Sequence, residues 1–119
     1  MIPVITDKAT ADEKPVRVGL STAEGIMFVA TSTIIRCEAL NNYTRFYFVN
    51  DKPILICHTL GYFEEKLIAA DFIRIHRKGL INKKFILKYC YSGELWLTDG
   101  SKLKISRRRK REVLNAIAC

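Results

Sequence analysis

The stretch Tyr43-Thr44-Arg45-Phe46-Tyr47-Phe48-Val49 decides the fold class. Every residue in it except Arg45 is β-branched or aromatic, the kind of side chain that fits a pleated, half-buried surface. Asn50-Asp51-Lys52-Pro53 follows as a hairpin turn, and Ile54-Leu55-Ile56-Cys57-His58 returns as its partner strand. Working toward the N-terminus, strands are expected at Thr33–Ala39 and Gly25–Ala30. Val16-Arg17-Val18-Gly19-Leu20-Ser21 alternates as a half-buried strand does. Toward the C-terminus, strand-like sequence resumes at Phe72-Ile73-Arg74-Ile75 and continues through Phe85 to Tyr91. It turns near Ser92-Gly93 and runs on through Glu94–Thr98. Asp99-Gly100 is a two-residue hairpin signal leading into Lys102–Ser106.

Helical signals are few. Thr59 is a plausible N-cap for a helix from about Leu60 to Ala70, with Leu60, Phe63, Leu67 and Ile68 on one face and Glu64 and Glu65 near its positive end. Val113, Leu114 and Ile117 mark a short amphipathic helix between Arg109 and Ala118. Residues 1–15 are polar, carry two prolines and show no periodicity, so they read as a tail or linker. Residues 16–119 then make one domain, mostly β and antiparallel, with one or two short helices.

Composition bounds the function. The 119 residues are 49% hydrophobic and 27% charged, ordinary for a globular domain. No run approaches the roughly 18 apolar residues of a membrane span, and the N-terminus lacks a signal-peptide pattern, so a cytoplasmic location is expected. Cys37, Cys57, Cys90 and Cys119 are irregularly spaced with no CxxC pair, which argues against zinc and redox motifs and for reduced thiols. Net charge is +8 and unevenly spread. Phe72–Lys88 holds six basic residues and no acid. Ser101–Cys119 holds seven basic residues and Glu112 alone. Together they carry +12 of a net +8, so the remainder is net −4. Such segregation favours a polyanionic partner.

Catalysis finds no support. Cys57 and His58 are neighbours on an expected strand, where adjacent side chains point to opposite faces and do not pair as nucleophile and base. There is no GxxxxGK[ST], GxGxxG or HExxH, and Glu64-Glu65 reads as solubilising charge. No cofactor and no metal site are expected.

Three separated blocks carry a family resemblance. Ile35-Arg36-Cys37-Glu38-Ala39-Leu40-Asn41-Asn42-Tyr43-Thr44-Arg45-Phe46 resembles an "I..cEA..NYT" pattern. Phe72-Ile73-Arg74-Ile75-His76-Arg77-Lys78-Gly79-Leu80-Ile81-Asn82 is similar to "F.RiHRs.liN". Leu97-Thr98-Asp99-Gly100 with Lys104-Ile105-Ser106-Arg107-Arg108-Arg109 resembles "L.dG..i.vSRR". In this order they resemble the LytTR DNA-binding domain of bacterial response regulators, over roughly Val16 to Ile117. The resemblance implies an elongated antiparallel β fold whose inter-strand loops enter successive major grooves of double-stranded DNA at promoter direct repeats. It also implies a receiver domain, or a second copy of the chain, as possible partners, with no membrane and no small-molecule substrate.

The resemblance also implies contacts, position by position. Thr44 and Arg45 would reach one groove, Arg77 and Lys78 a second, and Arg107 and Arg108 a third. Arg108 stands at the family's base-reading arginine, whose planar fork can donate twice to guanine. Ser106, Arg109, Lys110 and Lys84 are assigned to phosphates, which set register and salt dependence. The chain departs from the family at Lys78, usually a small hydroxyl residue; at Gly79, usually bulky; and at Thr33, often Asp. His76 is expected to be structural and Asn82 to brace a turn. Two other classes stay open: a single-stranded nucleic-acid or RNA binder using Tyr43, Phe46, Tyr47 and Phe48 as an exposed stacking platform, and a protein-interaction module.

Overall fold

The computed structural model describes residues 16–118. The expected tail, residues 1–15, lies outside them, as does Cys119. Ten strands and two helices follow in order: β1 (Arg17–Thr22), β2 (Gly25–Ala30), β3 (Ile34–Leu40), β4 (Tyr43–Phe48), β5 (Ile54–Ile56), α1 (Leu60–Leu67), β6 (Phe72–His76), β7 (Gly79–Asn82), β8 (Ile86–Cys90), β9 (Glu94–Leu97), β10 (Lys102–Lys104) and α2 (Lys110–Ile117). All pairings are antiparallel. They form a five-stranded sheet in the order β5-β4-β3-β7-β6, a three-stranded sheet β10-β9-β8 and the two-stranded hairpin β1-β2. The domain measures 48 × 38 × 24 Å.

The five-stranded sheet is covered on both faces, and strand alternation divides its residues between two cores. Cys37, Phe46, Ile56, Phe72 and Leu80 bury one face against Val18 and Leu20 of β1 and Leu60, Phe63 and Leu67 of α1. Ile35, Ile73, Ile75 and Ile81 bury the other against Leu95 and Leu97 of β9, Ile105, and Val113 of α2. Leu80 and Ile81, adjacent on β7, belong to different cores. Phe46 is fully buried and meets Phe63 edge to face at 4.8 Å.

Most sequence expectations map onto elements, with three refinements. The helix expected to reach Ala70 ends at Leu67. A 3₁₀ turn, Ile68–Ala70, finishes it, because Asp71 takes a left-handed φ of 69° that no α-helix continues. Thr59 does cap it, accepting the Tyr62 N–H at 3.3 Å. The Phe72–Tyr91 stretch breaks into β6, β7 and β8, since the chain reverses at Arg77-Lys78 between paired His76 and Gly79. The Asp99-Gly100 turn has three residues rather than two. The Gly100 N–H donates to Leu97 O at 3.0 Å and the Leu97 N–H to Ser101 O at 2.9 Å. Gly100 takes a φ of 93°, where a side chain would be strained.

Candidate nucleic-acid interface

One end of the five-stranded sheet gathers three connections in a row. The β3–β4 turn, Asn41-Asn42, joins paired Leu40 and Tyr43, with Asn41 at a φ of 57°, a conformation asparagine tolerates. Beside it lies the β6–β7 turn, Arg77-Lys78. Beyond that runs Ser106-Arg107-Arg108-Arg109, which leads from β10 into α2. Backbone hydrogen bonds stitch them together: Ala39 N–H donates to Lys78 O at 3.0 Å, and Ser106 N–H donates to Ile75 O at 2.9 Å. Residues more than thirty positions apart are thereby fixed as neighbours, and two of the three connections are basic.

The β6–β7 turn is braced from inside. Arg74 donates through Nε to His76 O at 2.9 Å and through Nη2 to Arg77 O at 2.6 Å. Its Nη1 meets the Glu64 carboxylate of α1. His76 accepts the Lys78 N–H on Nδ1 at 3.1 Å, so it serves the turn, as expected of a structural histidine. Arg77 and Lys78 are exposed at the tip. The sequence treated Glu64 as solubilising charge and Arg74 as one cation of a run. The structure spends both on positioning this turn. The only sequence signal was the β-strand position of Arg74, whose face could not be known before its pairing partner was.

Arg107 and Arg108 are exposed, Arg109 is half-buried, and Lys110 is exposed in the first turn of α2. Arg107–Arg109 form a 3₁₀ turn closed by the Arg109 N–H on Ser106 O at 3.1 Å. Cations at a helix start oppose its dipole by a few tenths of a kcal/mol each, roughly, so the cluster does not stabilise the helix it begins.

Four expected contacts stand differently. Thr44 has no exposed surface, and its hydroxyl donates to His58 O at 2.7 Å, so its side chain holds β4 to the segment after β5 instead of facing a groove. This corrects the contact expected there; its cause is the strand period, which turns Thr44 and Phe46 inward together. The Ser106 hydroxyl oxygen is buried and without a hydrogen-bond partner among the described residues, and its backbone N–H is held by Ile75 O. Lys84 is exposed but follows Asn82, at the opposite end of β7 from the Arg77-Lys78 turn, so it does not join the cluster. Arg45 is half-buried on the sheet face, with Nη1 3.5 Å from the Tyr47 hydroxyl, a bond that raises its already high pKa.

Asn82 braces that opposite end. It is buried, donates from Nδ2 to Ile34 O at 3.0 Å and Thr31 O at 3.4 Å, and accepts the Lys84 N–H at 3.1 Å. The aromatics do not form a stacking platform. Phe46 is core and Phe48 packs against it, while the Tyr47 hydroxyl donates to Glu38 at 2.7 Å; Tyr43 alone of the four is strongly exposed. Burial pushes the Cys37 thiol up, only partly offset by Arg36, which leaves it un-ionised at neutral pH. Cys57 lies past the end of β5, in a bend, and His58 stacks on Tyr62 at 4.2 Å. Among the described residues no helix is long and apolar enough to cross a membrane.

Comparison with known proteins agrees with this architecture. The family model of the LytTr DNA-binding domain matches residues 24–118. The sensory transduction protein LytT of Bacillus subtilis (strain 168) is 30% identical over 101 residues, 82% of this chain and 42% of that protein. The chain thus spans less than half the length of this relative. In fold, it is similar to the LytTr DNA-binding domain of a protein described as a methyl-accepting/DNA response regulator from Bacillus cereus. The TM-score is 0.72 at 22% identity, covering 88% of this chain and 99% of that one. With a family model spanning β2 through α2 and the same strand framework in a solved domain, the chain belongs to the LytTr DNA-binding domain family.

Proposed function

We propose that this domain binds double-stranded DNA in a sequence-specific way, as the output module of a bacterial transcription regulator. The Arg77-Lys78 turn and the Arg107–Lys110 segment enter neighbouring major grooves, and the Asn41-Asn42 turn with Arg45 follows the adjoining backbone. Arg108 and Arg77 read base edges; Lys78, Arg107, Arg109 and Lys110 engage bases or phosphates around them. The observation that carries this reading is the basic row at one end of the five-stranded sheet, fixed by the Ala39–Lys78 and Ser106–Ile75 hydrogen bonds. A braced turn reads sequence better than a free one, because less side-chain and loop freedom is lost on binding.

The targets are promoter direct repeats, and a receiver domain or a second copy of the chain is the partner that sets occupancy. The relatives' names, a sensory transduction protein and a response regulator, support the receiver domain as partner. A single-stranded nucleic acid fits less well, since Phe46 and Phe48 are committed to the core.

Selection from a random duplex pool at roughly physiological salt tests the proposal. A short motif repeated about one helical turn apart is the expected result. Binding without any enriched motif would overturn sequence-specific recognition and leave only the charge.

A further inference from the structure

Between β3, the β6–β7 turn and β10 lies a cleft of about 220 Å³ whose charged and polar lining is Arg36, Glu38, His76, Lys78 and Lys104. Three of these are permanent cations and one is an acid. That acid is engaged, since the Tyr47 hydroxyl donates to Glu38 Oε1 at 2.7 Å. The Tyr47 ring in turn carries the Arg36 guanidinium, 3.9 Å from its centroid. Arg36 is therefore held by stacking. Among the described residues no carboxylate pairs with it, and its Nε is buried with no hydrogen-bond partner. A buried donor of this kind is disfavoured unless something accepts from it. His76 accepts the Lys78 N–H on Nδ1, so the neutral ring carries its proton on Nε2, a further donor type in the lining.

A recess lined by several donors with excess positive charge suits a tetrahedral oxyanion. Arginine supplies the planar fork and lysines the point charges. None of the family blocks assigns Arg36 or Lys104 a role in binding. We propose that this cleft binds one phosphate group, with Arg36 as its fixed donor and Lys104 and Lys78 closing on it. Two sources share that chemistry: a backbone phosphate of bound duplex DNA, which rests on the DNA-binding reading above, and free phosphate. Lys78 lines the cleft and also stands at the tip of the basic row, which places the cleft within reach of DNA lying on that row.

The test uses Arg36→Gln, Lys104→Ala and the double variant, each first checked for native folding by its unfolding transition. Duplex affinity is measured between 50 and 200 mM salt, and inorganic phosphate is titrated against the unbound protein at constant ionic strength while the Arg36 Nε–H resonance is followed. If the phosphate belongs to DNA, each variant weakens all duplex sequences alike. The salt dependence then falls by about one contact, which makes the affinity loss across that salt range about 3.5-fold smaller. The double variant loses that one unit and not two, because both cations serve one phosphate. If the source is free phosphate, the Arg36 resonance shifts saturably in the parent and Lys104→Ala weakens that binding, while duplex affinity is unchanged. Specific duplex binding with no change in any variant and no saturable phosphate shift overturns the cleft and leaves the DNA reading intact. Saturable phosphate binding by a protein that selects no duplex motif does the reverse.

Discussion

The β6–β7 hairpin is braced at both ends by a polar side chain, and the two braces differ in kind. At the tip, Arg74 holds two turn carbonyls and is itself held by Glu64 of α1. At the base, Asn82 holds the carbonyls of Thr31 and Ile34 and the Lys84 N–H. Asn82 is 3% exposed and neutral, whereas the Arg74 side chain is 14% exposed and charged. A neutral amide in the core joins pieces of the fold whose separation would leave buried carbonyls bare. A charged fork near the surface fixes a loop that must stay accessible. One end is built for stability and the other for presentation, although both lie in one basic stretch of sequence.

The strongest way to break this contrast is Asn82→Leu. It is expected to cost about 2–4 kcal/mol of unfolding free energy in urea, since several buried groups lose partners, while the selected DNA motif stays the same. A changed motif would mean that the base of the hairpin also shapes recognition. Next is Arg108→Ala, expected to lose roughly 1–3 kcal/mol of specific duplex affinity and to relax preference at one base pair. An equal loss on every sequence would reduce Arg108 to a phosphate contact.

Arg74→Lys keeps a charge beside Glu64 but lacks the fork that spans two carbonyls. Specific affinity should fall about tenfold, close to 1.4 kcal/mol, with non-specific affinity unchanged. If stability drops instead and specificity holds, the tip is a structural joint like the base. Thr44→Val removes a buried hydroxyl bond, and a stability loss of about 1 kcal/mol with unaltered DNA affinity is expected. Reduced DNA affinity in a folded Thr44→Val protein would return Thr44 to the interface. The smallest effect belongs to Lys84→Ala, expected to shift duplex affinity by no more than about 0.3 kcal/mol with the same salt slope, as befits a solvated cation away from the row. A slope reduced by a full unit would show that DNA wraps both ends of the sheet.

Much of the fold was legible because its signals are local. The β-branched and aromatic run from Tyr43 announced β4, Thr59 announced the start of α1, and the three spaced blocks identified the family. The candidate site was legible only in part. Arg77, Lys78, Arg107 and Arg108 emerged as exposed cations at one end of the sheet. Thr44 lay beside Arg45 in the same block, yet the two-residue period sends one inward and leaves the other on the face. The six cations of Phe72–Lys88 looked like one patch. A hairpin disperses such a run, sending Arg77 and Lys78 to one end and Lys83 and Lys84 to the other, turning Arg74 inward and laying Lys88 over Trp96 at 4.3 Å.

By itself, then, the sequence determined most of the strand segments, several of the turns, and that the surface would be basic, because propensity, alternation and charge are properties of neighbours in the chain. The reversal at Arg77-Lys78 was not among them. Only the tertiary structure decided which cations act together. The Ala39–Lys78 and Ile75–Ser106 hydrogen bonds and the Arg74–Glu64 pair join positions far apart in sequence. Such pairings depend on which sheet faces bury against which core, and that is settled by packing the whole chain at once.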